Sequence, residues 1–299
     1  MHIAVTGSRG LLGSALIPSL TSSGNRVTRL LRSGALGLDD VAWNPSQGLT
    51  DPSRLDAVDA VVHLAGENIA AGRWTPARKA AIRSSRVDAT RTLCEGLARL
   101  PHPPRILLSA SAVGFYGNRG DEILTEASPG GTGFLAAVCR EWEAATGLAS
   151  RTGIRVVQLR FGMILSEAGG ALRKMATVIR LGAGGRVGSG TQCISWIAID
   201  DAVGAIRHVL SDASVQGPVN VVAPESVTNA EFTRTLARVL RRPAFVPLPA
   251  FAARLLFGEM ADALLLSGAR VMPARLRAAG YTFRFPALEG ALRHLLADK

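Results

Sequence analysis

The stretch "HIAVTGSRGLLG", residues 2–13, constrains the fold of this chain more than any other. His2–Thr6 is almost continuously apolar, as a strand buried on both faces of a parallel sheet must be. Gly7, Gly10 and Gly13 follow at G-x-x-G-x-x-G spacing, and the helix after them carries Leu12, Leu16 and Leu20 on one stripe. Gly7 permits the tight turn, Gly10 lets a pyrophosphate reach the backbone, and Gly13 lets the helix pack on the strand. The free amides and the dipole at the helix start then face the phosphates. With Ser8, Arg9, Leu11 and Leu12, these glycines read as a dinucleotide cradle. The predicted fold is α/β: a Rossmann-like, doubly wound parallel sheet with a smaller C-terminal substrate lobe.

The next strand pattern, "RVTRLLRS", ends in Arg32 and Ser33. A carboxylate at that place accepts from a ribose 2′-hydroxyl, whereas an arginine holds a 2′-phosphate. With Arg9 in the turn, NADP(H) is favoured over NAD(H). A further buried strand, "DAVVHLAGENI" (residues 59–69), ends in Leu64, Ala65 and Gly66, where the chain passes close to a cofactor ribose. After "WTP" a long helix is expected, with Ile82, Val87, Leu93 and Leu97 packing and Arg86 near the cofactor. "RILLSASAVGFYG" is the next strand and loop, and "IRVVQLRFGMIL" the strand after the following helix. Ser109, Arg160 and Gly162 on these strands complete the expected cofactor contacts, and Ser111 and Tyr116 are the expected catalytic residues.

The net charge of +11 would ordinarily raise the question of nucleic acid or anionic membranes. Lysine occurs only at Lys79, Lys174 and Lys299, so nearly all the positive charge is arginine, scattered without a basic run. Basic composition without a binding motif is weak evidence, and no nucleic-acid partner is expected. Cys94, Cys139 and Cys193 have neither metal nor redox spacing, which points to a reducing compartment and no metal. Met1 runs straight into the first strand without a signal-peptide pattern, and no apolar run is long enough to span a bilayer. The expectation is a cytoplasmic monomer or homodimer acting on a small-molecule substrate.

"TGSRGLLG", "HLAGEN", "SASAVGFYG", "FLAAVCREWEAA", "LRFGMIL", "SWIAIDD" and "VNVVAPESVTNAEF" occur in this order. Together they resemble the extended short-chain dehydrogenase/reductase superfamily, and within it the NAD(P)-dependent epimerase-like group of SDR39U1 type, along almost the whole chain. The resemblance implies NADP(H) binding, a small C-terminal domain and a sugar-nucleotide epimerase or reductase activity. In the wider superfamily a serine polarises the substrate oxygen and the tyrosine of Tyr-x-x-x-Lys exchanges the proton. The lysine lowers the tyrosine's pKa, because a phenol of pKa near 10 needs a nearby cation to act near neutral pH.

That pair is missing. Gly120 stands four residues after Tyr116, and Phe285 four after Tyr281. Aligning Glu143 of "FLAAVCREWEAA" with the superfamily's usual glutamate puts Leu135 in the tyrosine place and Cys139 in the lysine place. Three outcomes follow: Ser111 and Tyr116 form a replacement site with Arg140 or Arg160 supplying charge; an activated substrate reacts with water as proton source; or NADP(H) binds without turnover.

The glycine-rich segment Gly182–Gly190 lacks P-loop spacing and reads as a wall over the substrate, with Gln192, Ser195 and Trp196 on it. Asp200 and Asp201 are expected to cap a helix, and Asn229 to cap the next, with Phe232, Leu236, Val239 and Leu240 inward. From Pro243 onward, prolines punctuate short amphipathic helices. The expected division is a cofactor domain over residues 1–223, with a substrate-lobe insertion at about 166–198, and a helical lobe over 224–299.

Overall fold

The structure, a computed structural model, describes residues 1–32, 37, 39–49 and 51–296. A parallel sheet is its centre. In chain order its strands are β1 (His2–Thr6), β2 (Arg26–Leu31), β3 (Asp40–Asn44), β4 (Gly48–Leu49), β5 (Ala60–His63), β6 (Ile106–Ala112), β8 (Arg155–Phe161) and β12 (Gly217–Val221). Across the sheet they run β12-β8-β6-β5-β1-β2-β3-β4, and every neighbouring pair is parallel except β3 with β4. Three two-stranded ribbons lie outside it: β7 (Ile123–Leu124) with β14 (Arg270–Val271), β9 (Met163–Leu165) with β11 (Trp196–Ala198), and β10 (Cys193–Ile194) with β13 (Val227–Thr228).

The sheet propagates from β1 in both directions, to β2 on one side and β5 on the other. The carboxyl end of β1 is therefore the topological switch point, where an open α/β sheet leaves a crevice. Helices α1 (Leu11–Ser22), α2 (Pro76–Ser84), α3 (Val87–Ala98), α4 (Phe134–Ala145), α5 (Gly147–Arg151) and α7 (Ile199–Ser211) accompany this half. Leu12, Leu16 and Leu20 of α1 are buried against β1 and β5 residues such as Val5 and Val62. The single long helix expected after "WTP" is two, α2 and α3, joined at Ser85 and Arg86. Ile82, Val87, Leu93 and Leu97 are all buried, because each helix keeps its own inward stripe.

The remaining helices are α6 (Gly170–Arg180), α8 (Asn229–Leu240), α9 (Ala250–Phe257), α10 (Glu259–Leu264), α11 (Ala274–Ala278) and α12 (Leu288–Leu296). Residues of α6, β11, α8 and α12 share one apolar cluster, with Leu172, Trp196, Phe232 and Leu292 at its centre. The cap of α8 is Thr228, not Asn229. Thr228 Oγ1 accepts from Glu231 N while Glu231 returns to the Thr228 amide, a complete capping box. The Asn229 side chain instead accepts from Val187 N in the glycine-rich loop.

Helix α7 begins at Ile199 with no side-chain cap. Asp200 and Asp201 lie in its first turn, but Asp201 is buried and turned to the C-terminal segment. It accepts from Arg284 N at 2.8 Å, Phe285 N at 2.9 Å and the Tyr281 hydroxyl at 3.1 Å. The expected cap is thus a tether. Ser195 and Trp196 are likewise interior, and Gln192 is half-buried. Gln192 donates to Val187 O and Leu265 O, Ser195 Oγ donates to Ala269 O, and Trp196 is fully buried.

Candidate functional site

The glycine turn closes the switch point on tight sterics. Gly7 sits at φ +65°, and a Cβ there would lie 2.7 Å from the Leu64 carbonyl carbon, so the turn is pressed against the end of β5. A Cβ on Gly13 would lie 2.3 Å from Gly7 O, which forbids any side chain where α1 crosses the turn. A Cβ on Gly10 would approach only Gly7 O, at 3.1 Å, so this residue is open on its outer side. Gly10 is also the N-cap of α1 and brings no side-chain acceptor to its first amides, and no acidic residue lies in the first turn. Ser8 is buried, and its Oγ has no hydrogen-bond partner in the protein. A capless helix start beside an orphaned hydroxyl is the donor set of an anion site. Leu12 packs in the core, and Leu11 lies against Gly169 and Gly170. Arg9 and Arg32 are exposed, and Ser33 lies outside the described residues. The carboxylate of Asp40, within electrostatic reach of Arg9, is held by Arg29 Nε at 2.6 Å, Arg29 Nη2 at 2.8 Å and Gly37 N at 2.7 Å. Its pKa is lowered, first by the Arg29 hydrogen bonds.

A polar chain beneath the turn fixes the Leu64–Gly66 segment. Thr6 Oγ1 accepts from Leu64 N at 3.0 Å and Ala65 N at 3.2 Å, so its own proton goes to His63 Nδ1 at 2.7 Å. His63 therefore carries its proton on Nε2 and donates to Thr90 Oγ1 at 3.0 Å, which also accepts from Trp142 Nε1 at 2.9 Å. Burial pushes the His63 pKa down to about 4, so the ring is neutral. Behind Gly66 lies the Arg86 guanidinium, 3.4 Å from where a Cβ would stand. It donates to Glu67 O and Ile82 O over the Trp142 ring. None of Thr6, His63, Thr90 or Trp142 was singled out by the sequence; the links span up to 57 residues, the register of β1 with β5 pairs Thr6 with His63, and α3 and α4 bring in Thr90 and Trp142.

The absence of the tyrosine–lysine pair is visible as packing. A Cβ on Gly114 would lie 3.5 Å from Leu135 Cβ and 3.8 Å from Cys139 Sγ, so these two face the loop after β6. Burial pushes the Cys139 thiol up to about 12. One turn further along the same stripe stands Glu143. Its Oε1 accepts from Ser111 Oγ at 2.7 Å and Arg160 Nε at 2.8 Å, and its Oε2 from Arg160 Nη2 at 2.8 Å. Arg160 Nη1 donates to the Tyr116 hydroxyl at 2.9 Å, and Tyr116 donates onward to Asn220 Oδ1 at 2.7 Å. Ser111 and Arg160 are directly opposite in the β6–β8 register, which places the whole network at the carboxyl end of the sheet.

Several sequence expectations change here. Tyr116 lies on the connection after β6 as expected but is fully buried, and burial raises its pKa despite the neighbouring Arg160. Arg160, expected among the cofactor contacts, is 3% exposed and committed to Glu143 and Tyr116, stacked on Phe115. Arg140 is turned away to Gly131 O. Gly162 is required by packing, since a Cβ would lie 2.5 Å from Ser195 O. Ser109 is buried inside β6, one pleat before Ser111. Glu143 was used only as an alignment anchor; its i+4 spacing from Cys139 was the available signal.

Comparison with known proteins agrees with this architecture. The model of the NAD dependent epimerase/dehydratase family matches residues 3–223, and that of a domain of unknown function (DUF1731) matches residues 248–295. An epimerase family protein of Mycobacterium tuberculosis is 43% identical over 97% of this chain and 96% of its own length. The crystal structure of human SDR39U1 with NADPH superposes with a TM-score of 0.90 at 35% identity, covering 99% of both chains. A nucleoside-diphosphate sugar epimerase of Corynebacterium glutamicum gives 0.83 at 40% identity, over 99% of this chain and 58% of that one. With one family model spanning most of its length and such relatives along all of it, the chain belongs to the NAD dependent epimerase/dehydratase family, in its SDR39U1-type group.

Proposed function

We propose that the chain is an NADP(H)-dependent oxidoreductase or epimerase of the extended short-chain dehydrogenase/reductase type, with an active site centred on Ser111 in place of a tyrosine–lysine pair. The observation that carries this reading is the cradle at the switch point: a capless helix start, an open Gly10 and the unpartnered buried Ser8 Oγ. The human SDR39U1 structure with NADPH supports the same cofactor. The α1 amides and Ser8 hold the pyrophosphate, and Arg9 and Arg32 the 2′-phosphate. Leu64–Gly66, backed by Arg86, lies along a ribose. Bound there, NADP(H) supplies hydride chemistry. Ser111 orients the substrate oxygen, and Leu135 and the un-ionised Cys139 leave proton exchange to solvent.

In this reading residues 1–223 form the cofactor domain, and about 166–198 with 224–299 form the substrate lobe; the apolar cluster shared by α6, β11, α8 and α12 supports the grouping. Three buried free cysteines suit a reducing, cytoplasmic setting, and among the described residues no helix is long and apolar enough to cross a membrane. A second reading, a silent NADP(H)-binding sensor or scaffold, is favoured by the burial and raised pKa of Tyr116. Titration with NADPH and NADH, then a hydride-transfer screen of carbonyl and sugar-nucleotide compounds, tests both. Turnover that collapses in Ser111→Ala supports the enzyme. Tight NADPH binding without turnover supports the sensor. Failure of both cofactors to bind removes the cradle.

A further inference from the structure

We infer that the end of α6, the glycine-rich loop, α8 and α9 carry a face that docks on an anionic lipid bilayer. The inference stands apart from the nucleotide crevice. Its first observation is apolar surface. Among the described residues nine large apolar side chains are exposed, and seven of them fall within residues 178–181 and 245–256. Leu181, Phe245, Phe251 and Leu255 are 78, 86, 73 and 74% exposed. Scattered apolar residues need no explanation, but a gathering of this kind marks an interaction site. The backbone joins the two stretches. Val246 N donates to Gly184 O at 3.0 Å and Leu248 N to Arg186 O at 2.9 Å, beside a parallel bridge of Val187 with Leu248. On α9, Phe251 and Leu255 stand one turn apart in solvent while Ala253 is buried.

The second observation is charge. Residues 168–199 and 232–258 contain nine arginines and lysines and no aspartate or glutamate, in a chain with 23 acidic residues among 299. Arg238 and Arg254 are paired with Glu289 and Asp262. Lys174, Arg180, Arg234, Arg241 and Arg242 are exposed and in no ion pair among the described residues. Glu231, at the start of α8, is committed to the capping box. Arg186, Thr233, Arg234, Ala244, Phe245 and Pro247 line an open hollow of about 430 Å³, roomy enough for a phosphate head group. Charge decides what covers such a face. A second copy related by a two-fold axis opposes the same cations with no carboxylate to meet them. A nucleic acid answers the arginines and leaves Val246, Leu255 and Leu256 without an apolar partner. An anionic bilayer answers both: its phosphates meet the guanidinium groups, and the acyl boundary takes the phenylalanines and leucines. The attachment is to the surface, since among the described residues no helix is long and apolar enough to cross a membrane.

The test is sedimentation of the full chain with vesicles of phosphatidylcholine alone and with about a third phosphatidylglycerol. The chain should bind the anionic vesicles, leave the neutral ones, and bind less as salt is raised. Phe251→Ser with Leu255→Ser removes only exposed apolar groups and should lower affinity about ten-fold or more. Arg241→Gln with Arg242→Gln should lower it about five-fold for each charge. Arg99→Gln with Arg105→Gln removes the same charge from outside the face and should lower it far less. Phe245→Trp reads insertion directly. The four native tryptophans are buried, so the added indole should account for a blue shift of emission on anionic vesicles and none on neutral ones. Failure to bind anionic vesicles, equal binding to neutral ones, an affinity that the serine pair leaves unchanged, equal losses from the two arginine pairs, or an indole that does not shift overturns the inference. A dimer or an RNA complex that the serine pair dissolves overturns it too, because the face then belongs to that partner.

Discussion

Acid should destabilise the floor of the nucleotide crevice through His63. The ring is fully buried, accepts from Thr6 and donates to Thr90, and burial holds its pKa at about 4. In an unfolded chain the same ring titrates near pH 6.5. Between those values the unfolded state takes up a proton that the folded state refuses. The stability contributed by the neutral ring is therefore complete above pH 6.5 and is lost as the pH falls. At pH 4 the loss reaches about 3 kcal/mol, a large share of the roughly 5–15 kcal/mol that holds a typical domain. Below pH 4, Nδ1 becomes a donor aimed at Thr6 Oγ1, which must then release Leu64 N or Ala65 N. Urea unfolding between about pH 4 and 8, on the wild type and on His63→Gln, isolates the effect. Glutamine keeps one acceptor and one donor but does not titrate. Other titrating groups, such as His2 and Asp40, whose pKa values are also lowered, cancel in the difference. That difference should be level above pH 7 and move by about 3 kcal/mol against the wild type by pH 4. A difference that stays flat refutes the neutral buried ring and the bond directions assigned to it.

Gly13→Ala drives a methyl group to within 2.3 Å of Gly7 O, a backbone atom that cannot turn aside. It should cost about 1–3 kcal/mol in thermal unfolding and lower NADPH affinity at least about ten-fold by fluorescence titration. Gly290→Ala in α12 meets nothing within 4 Å and should stabilise by about 0.5–1 kcal/mol, a control for glycine removal as such. Arg160→Met strands the Glu143 carboxylate and should cost about 3–5 kcal/mol, while the double variant with Glu143→Leu should cost less than the single one; additive losses in a double-mutant cycle refute the coupling. Asp201→Ala leaves the amides of Arg284 and Phe285 without an acceptor and should cost about 2–3 kcal/mol. Limited proteolysis should then cut within residues 281–296 while NADPH still binds.

The readable part of the sequence was the part governed by local sterics. The G-x-x-G-x-x-G turn, the burial of Leu12, Leu16 and Leu20, and the missing Tyr-x-x-x-Lys each depend on residues within a few positions of one another. What escaped was set by long-range pairing. Asp201 looks like a cap because its sequence neighbourhood is a helix start, yet its partners lie 80 or more residues away. Thr228 and Asn229 both have capping side chains, and only the docking of Val187 decides that the asparagine is drawn off. Strands β3 and β4 are short, and the sequence around them carries no alternation that would have marked them.

The replaced dyad shows the same division. The loss of a lysine from α4 is legible; the place from which a cation returns is not. Arg160 comes from β8, inside the sheet, and its charge is met by Glu143 one turn beyond Cys139. A sheet-borne guanidinium buried to this degree cannot swing into the crevice as a lysine on a helix face can. It lowers the cost of burying Tyr116, but burial still prevails and the phenol's pKa stays above its ordinary value. A tyrosine with a raised pKa whose proton is already given to Asn220 is a poor proton donor near neutral pH. The other hydroxyl of this network, Ser111 at the carboxyl end of β6, is equally buried, and the Glu143–Arg160 pair decides which way its proton points.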